Sequence, residues 1–205
     1  MIPENGLIAL NIPLEITRVG SFSTRTTHPF YLSLWNNLLK NLGMELSVYN
    51  PYWNKTKGEM ANECLNKDIL FETMGLSFSC SSPGKARWKG LSPQHCGYCV
   101  PCLIRRAAMH KAFGRDSTVY TETSLHHMQS SNASGIGVKL RSFQYAIEHI
   151  KKHPDIERIS IHKSGPLPQD EDYLSELAST YRRGLLEVDA FIQDGLNHEE
   201  RHHDL

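Results

Sequence analysis

The chain has 205 residues, of which 22 are basic and 22 acidic. That balance removes any whole-chain electrostatic case for direct nucleic-acid binding or for an anionic membrane surface, and no apolar run reaches the roughly 18 residues a membrane span requires. The five cysteines are too sparse, and odd in number, for a disulfide scaffold, so reduced thiols and a cytoplasmic location are expected. The opening MIPENGLIALNIPLEI has neither a basic leader nor a small-residue cleavage site, so it does not read as a signal peptide.

GLIALNIPLEI, after the PENG turn, is a short apolar run that suits a buried strand or a short buried helix equally. The polar SFSTRTTHP follows. Pro29 then opens a predicted helix in which Phe30, Leu34, Trp35, Leu38, Leu39 and Leu42 keep one face apolar, with Gly43 as its stop. ELSVYNP alternates weakly and predicts a short strand ending at Pro51. Thr56 and Glu59 have the spacing of a capping box for a helix through Met60 and Cys64, where Cys64 reads as an inert core thiol. A further turn or two of helix from Asp68 ends at Gly75. Past the cysteine-rich stretch, Pro101 marks the first turn of a helix that Gly114 ends. Residues 115–136 are polar and loosest at SSNASGIG, which marks a boundary. Helices are predicted at about 138–152 and about 170–194. The second carries a stripe of Leu174, Leu177, Ala178, Tyr181, Leu185, Val188 and Ile192, the pattern of a core or partner-facing helix. The tail, 196–205, is charged and predicted to fray.

The chemistry concentrates in residues 80–102. Cys80, Cys96, Cys99 and Cys102 have the spacing C-x15-C-x2-C-x2-C. A Cys-x-x-Cys pair reaches one ion from a tight turn, and Gly97 gives that turn its freedom. Cys102 adds a ligand from the first turn of the next helix, where free N–H groups and the helix dipole favour thiolate. Cys80 closes the site across a looped-out 81–95. Four thiolates suit a structural zinc ion, leave no open position for catalysis, and supply folding energy on the order of 10 kcal/mol. Two other chemistries fit the spacing. An iron–sulfur cluster can use the same four residues. A redox Cys-x-x-Cys pair would leave the other two idle. His95 is a possible substitute ligand, but its adjacency to Cys96 makes both binding one ion awkward. Arg87, Trp88 and Lys89 combine charge with an aromatic ring, which suits either nucleotide stacking or anchoring of the looped-out segment.

Residues 198–202 read HEERH and match the H-E-x-x-H zinc-protease pattern. The stretch is wholly polar, and only His203, Asp204 and Leu205 follow it, so the expected state is a solvated tail.

Several stretches together resemble one family. HCGYCVPCLIRR leading into a helix, preceded by CSSPGKARWKG, resembles the C-terminal zinc segment of the 7-cyano-7-deazaguanine synthase (QueC-like) enzymes. PENGLIALNIPL, STRTTHPFY and NPYWNKTKGEM bring the likeness closer to their defence relatives, the QueC-like component of the Qat anti-phage system. The resemblance covers about 1–115 well and 116–195 more loosely. It implies an α/β fold: part of a Rossmann-like ATP-pyrophosphatase (adenine nucleotide alpha hydrolase-like) layer over 1–115, including the zinc segment 80–102. An α-helical extension over 116–195 and the polar tail complete it. It also implies an activity of queuosine-type chemistry. ATP activates a 7-deazaguanine carboxylate, and a nitrogen nucleophile then attacks: ammonia, or an amine on a partner protein of the same defence system. The zinc is structural and helps wall the deazapurine pocket. The family binds ATP through a Ser-Gly-Gly-x-Asp-Ser loop whose backbone N–H groups cradle phosphate. This sequence holds no such segment, and SGIGVK at 134–139 has the wrong spacing. It begins where the second half of the family would begin. The chain alone is therefore expected to be inactive, with ATP and Mg2+ entering only with a part that carries the loop. A non-catalytic, zinc-stapled protein-interaction module is the competing expectation.

For ligand contacts, loops after strands are the usual place in open α/β sheets, which singles out PENG and STRTTHP. Arg25 is a candidate for a phosphate or carboxylate through paired hydrogen bonds, or is a solvated loop charge. His28 is a candidate for proton transfer or phosphate binding, or caps the helix at Pro29. Asn5 suits a simple turn, and in the family context a pocket. Lys57 faces phosphate at the helix start or is a surface lysine.

Overall fold

A computed structural model of the chain describes residues 1–14, 26–131 and 135–203. Among them the protein is helical. Among the described residues the only sheet-type pairing is one isolated bridge between His95 and Tyr120. The α/β layer expected over 1–115 is therefore not found among the described residues. Two compact units interleave along the chain, one of residues 1–56 and 148–184, the other of 57–147 and 185–205.

In the first unit, the ambiguous apolar run resolves to a single helical stretch, α1 (Gly6–Leu10), in which Leu7, Ala9 and Leu10 are buried. Its start is set by Asn5, whose side chain accepts from Ile8 N–H, and its end by Asn11 in the left-handed conformation. Gly6 is required there. A Cβ on it would stand 2.2 Å from the Trp53 carbonyl oxygen and 2.6 Å from Thr180 Cγ2. Helix α2 (Pro29–Asn41) begins at the proline as predicted. Its apolar face, however, points outward. Only Leu32 is buried, while Phe30, Tyr31, Leu34, Trp35, Leu38 and Leu42 are exposed.

Residues 45–51, expected as a strand, form none: 45–50 have no regular secondary structure and Pro51 begins a turn. The reason is local: the Asn36 side chain takes both polar groups of Val48, donating to its carbonyl (2.9 Å) and accepting from its N–H (2.7 Å). A side-chain amide thereby occupies the place of a neighbouring strand. Asn50 likewise pins Glu4, accepting from its N–H and donating to its carbonyl. The unit's remaining core comes from Ile150 at the end of α7 (Gly135–Lys152), from the short α8 (Ile156–Ser160) with Ile161 after it, and from Leu177, Ala178 and Tyr181 of α9 (Glu171–His203).

In the second unit, α3 (Lys57–Asn62), α4 (Lys67–Thr73) and α5 (Val100–Phe113) pack around Ala61, Met74, Ala108 and Met109. Helix α3 ends before Cys64, whose half-exposed thiol lies 3.5 Å from the Asn66 carbonyl, so this cysteine is not a core residue. Gly114, in the left-handed region at φ +64°, ends α5 as predicted. Helix α6 (Leu125–Ser130), the first part of α7 and the last part of α9 bury Leu125, Met128, Leu140, Phe143, Leu185, Val188 and Ile192. The predicted stripe on α9 is buried from Leu177 to Ile192, with Leu174 half-buried. Among the described residues of the tail the predicted fraying is not found, since α9 continues to His203. No helix among the described residues is long and apolar enough to cross a membrane.

Candidate metal centre

The second unit brings Cys80, Cys96, Cys99 and Cys102 together. Their four Sγ atoms all lie within 4.8 Å of one another, and Cys96, Cys99 and Cys102 are buried. The Sγ atoms of Cys80 and Cys99 are 3.9 Å apart, as are those of Cys96 and Cys102. A tetrahedron of metal–sulfur bonds of about 2.3 Å has edges of about 3.8 Å. The four sulfurs thus stand at the corners that one tetrahedral ion needs. A four-iron cluster puts each thiolate on a different iron at the outside of a cube, and so needs them farther apart.

The local sequence explains the convergence. Gly97 adopts φ +89°, which lets the chain turn between Cys96 and Cys99. The turn brings the Cys99 N–H to 3.3 Å from Cys96 Sγ. Two further backbone groups, the N–H of Ser82 and of Cys96, donate to Cys80 Sγ at 3.3 Å each. Cys99 caps α5, and Cys102 lies in its first turn beside Pro101. Between Cys80 and Cys96 the chain makes a 3-10 helix, Pro83–Lys89, anchored by the fully buried Ala86. Trp88 does not anchor it: the indole is 84% exposed.

Crowding sets the buried thiols apart from one another, with Cys99 the one most favoured as thiolate. Sulfur hydrogen bonds with Cys102, and then Cys96, hold its thiol far below the ordinary value. The partners go the other way. Hydrogen bonds to Cys96 and Cys99, with burial, push Cys102 far up. For Cys96 the bond with Cys102 favours the thiolate, but the bond with Cys99 and burial outweigh it and raise the thiol to about 12. Like charges this close cannot all form unaided; a divalent cation among them removes that penalty and favours four thiolates.

A surrounding shell holds the cluster in shape. His95 Nε2 lies 3.2 Å from the Ser77 carbonyl, which can only accept, so the ring proton is on Nε2. Its Nδ1 then faces Cys102 Sγ at 3.8 Å. The ring sits between Phe78 and Tyr120, and burial lowers its pKa. His95 is a neighbour of the cluster and does not complete it. Arg105 is 3% exposed and ties two segments to α5: it donates to the carbonyl of Met74 and to Ser77 Oγ at 2.9 Å in one turn, and to Thr118 Oγ1 at 3.2 Å in another. Arg106 donates to the carbonyls of Gly97 and Thr123, with its guanidinium over the rings of Tyr120 and Phe191.

Sequence reasoning missed one wall of the site. Residues 118–123, inside the stretch that composition marks as a boundary, lie along the cysteine turn. Thr121 N–H donates to the His95 carbonyl and Glu122 N–H to the Cys96 carbonyl. The one available signal is the β-branched and aromatic run STVYTET.

Of the expected ligand-contact residues, Asn5 and His28 cap helices. Asn5 is 1% exposed and caps α1, and its amide donates to Glu4 Oε1. His28 is 2% exposed and caps α2, accepting from Phe30 N–H at 3.3 Å, with Nε2 3.2 Å from Ser164 Oγ. Lys57 opens α3 and is half-buried. Arg25 lies outside the described residues. A cleft of about 320 Å3 in the first unit is lined by Leu32, Asn36, Asn50, Trp53 and Tyr173 among others, but not by Asn5 or His28. The HEERH stretch also has a structural use. Glu199 accepts from the N–H groups of Leu125 (2.8 Å) and His126 (3.2 Å) and from Ser124 Oγ (2.9 Å), at the start of α6. Burial would raise its pKa, but these hydrogen bonds outweigh that and hold the carboxyl below the ordinary value.

Compared with protein-family models, with curated proteins and with solved structures, the chain matches none.

Proposed function

We propose that this chain is a zinc-stapled part of a QueC-like, ATP-dependent enzyme of anti-phage defence. Cys80, Cys96, Cys99 and Cys102 hold one structural zinc ion. The single observation behind the proposal is the four-sulfur cluster, because three of its cysteines lie in HCGYCVPCLIRR, which together with STRTTHP is the specific part of the family resemblance. In this reading the Rossmann-like layer, with its Ser-Gly-Gly-x-Asp-Ser loop, ATP and Mg2+, comes from another polypeptide segment. The completed enzyme activates a 7-deazaguanine carboxylate for attack by ammonia or by an amine of a partner protein. The experiment has two parts. Elemental analysis of the purified chain is expected to give one zinc per chain. Conversion of ATP to AMP is expected to be absent with the chain alone and present when a segment carrying the loop is supplied; turnover by the chain alone, or none in either case, overturns the catalytic reading.

A second reading has its own support. The described residues are helical, and a large apolar face and the Trp88 indole are exposed. These suit a non-catalytic module in which the zinc staple serves protein interaction. Zinc binding without turnover under any combination favours that reading.

A further inference from the structure

A cavity of about 280 Å3 lies in the second unit, toward the C-terminal end of α5, lined by Arg106, His110, Arg115, Asp116, Tyr120 and Phe191 among others. That is just under the ~300–1,000 Å3 of drug-sized sites, so its ligand is small. Between Glu72 and Asp116 the sequence holds seven lysines and arginines and no acid. Part of that excess is answered in the fold, where Lys89 pairs with Glu122 and Lys111 with Glu187. Arg106 and Arg115, both on the cavity, meet no carboxylate among the described residues. Arg106 uses two of its five N–H donors on the Gly97 and Thr123 carbonyls and rests on the Tyr120 and Phe191 rings, which leaves three donors. Arg115 is exposed and makes no hydrogen bond among the described residues. Its guanidinium is held 4.3 Å from the centre of the Phe71 ring, a contact that takes none of its donors.

The opposing groups are weaker. Asp116 is the one acid lining the cavity. Its Oδ1 accepts from the Thr118 N–H at 2.8 Å and its Oδ2 from the Tyr120 hydroxyl at 2.7 Å. The last carbonyls of α5 add only partial charge. His110 lies there too, its Nε2 3.1 Å from Asp194, which does not line the cavity. We propose that this cavity binds a phosphate group, free or on a small ester, with Arg106 and Arg115 as its donors. A guanidinium fork meets two phosphate oxygens through parallel hydrogen bonds. The three open donors of Arg106 and the five of Arg115 outnumber the roughly four acceptor sites of a carboxylate, whereas a phosphate brings three strong acceptor oxygens and a larger charge. A half-buried cation with no counter-charge is costly, and an anion in the cavity removes that cost. The inference is independent of the catalytic reading.

The test is calorimetric titration of the purified full chain with inorganic phosphate and with ethyl phosphate, and with acetate for comparison. One saturable site per chain is expected for phosphate, and weaker binding for acetate. Whichever phosphate binds tighter shows whether the group is taken free or on an ester, and either carries the proposal. Arg115→Gln is expected to weaken binding roughly tenfold or more. Arg115→Lys is expected to recover only part of the loss, because an ammonium lacks the fork. Since Arg115 holds no other group by a hydrogen bond among the described residues, the circular dichroism and metal content of both variants are expected to stay unchanged. Arg158→Gln, at an exposed position of the other unit, is expected to bind like the native chain. Absence of saturable phosphate binding overturns the proposal, as does binding indifferent to Arg115→Gln. So does binding weakened equally by Arg158→Gln, or acetate held as tightly as phosphate.

Discussion

A methyl group placed on Gly97 would stand 1.9 Å from the carbonyl oxygen of Glu122. Gly97 is the turn between two of the clustered cysteines, and Glu122 belongs to the loop that walls them. The residue is therefore constrained twice, by its φ of +89° and by a backbone atom that cannot swing aside. Gly97→Ala is expected to cost at least ~3 kcal/mol and to weaken metal retention against a competing chelator. Gly84→Ala is the control, since a Cβ there meets nothing within 4 Å. Its expected effect is within ~0.5 kcal/mol in urea unfolding.

Cys96→Ser and Cys102→Ser each remove one corner of the sulfur cluster. Both are expected to lose the metal and to lower the melting temperature steeply, because a structural metal's binding energy is folding energy. Cys64→Ser, outside the cluster, is expected to leave metal content at the native value. Acidification is expected to release the metal as protons compete for the thiolates, and a chelator is expected to reproduce that loss at neutral pH. Elemental analysis and thermal melts read all of these outcomes.

Arg105 carries a charge into the interior and satisfies it on the Met74 carbonyl, Ser77 and Thr118. Arg105→Met leaves those acceptors without their donor. It is expected to destabilise by about 3 kcal/mol. Arg105→Lys keeps the charge but not the fork, and is expected to recover only part of the loss. A shift of the urea midpoint with an unchanged slope is the expected signature. If Arg105 served a ligand instead, both variants would unfold like the native chain.

Glu199→Gln tests the cap on α6. The carboxylate's folded pKa lies below its ordinary value of 4.5. Its contribution is therefore complete above the unfolded value and disappears as the pH falls through the folded one. The native protein is expected to be more stable than the variant at neutral pH, with the gap closing in acid. Hydrogen exchange at Leu125 and His126 is expected to quicken in the variant. The metal content is expected to stay at one per chain, because HEERH serves here as helix and cap.

Local features of the chain were legible without coordinates. Pro29 and Pro101 start helices, Gly114 ends one, and the apolar stripe from Leu177 to Ile192 lies in the core, because each signal acts within a few residues of itself. The cysteine spacing belongs to the same class for Cys96, Cys99 and Cys102, since one turn and one helix start bring them to a point. Other outcomes depended on partners far along the chain. Residues 45–51 are not a strand because Asn36, rather than another strand, holds Val48. The C-terminal helix includes Glu199, whose partner Ser124 is 75 residues away. The apolar sector of α2 faces outward although its pattern looks like that of a buried helix. By itself, then, the sequence determined where α2 and α5 begin, where α5 ends and which thiols gather. Only the tertiary structure decided which apolar faces are covered, which polar side chains replace backbone partners, and which distant loop closes over the cysteines. Periodicity and capping are properties of neighbouring residues, whereas burial and hydrogen-bond exchange between segments far apart depend on which surfaces the folded chain brings into contact.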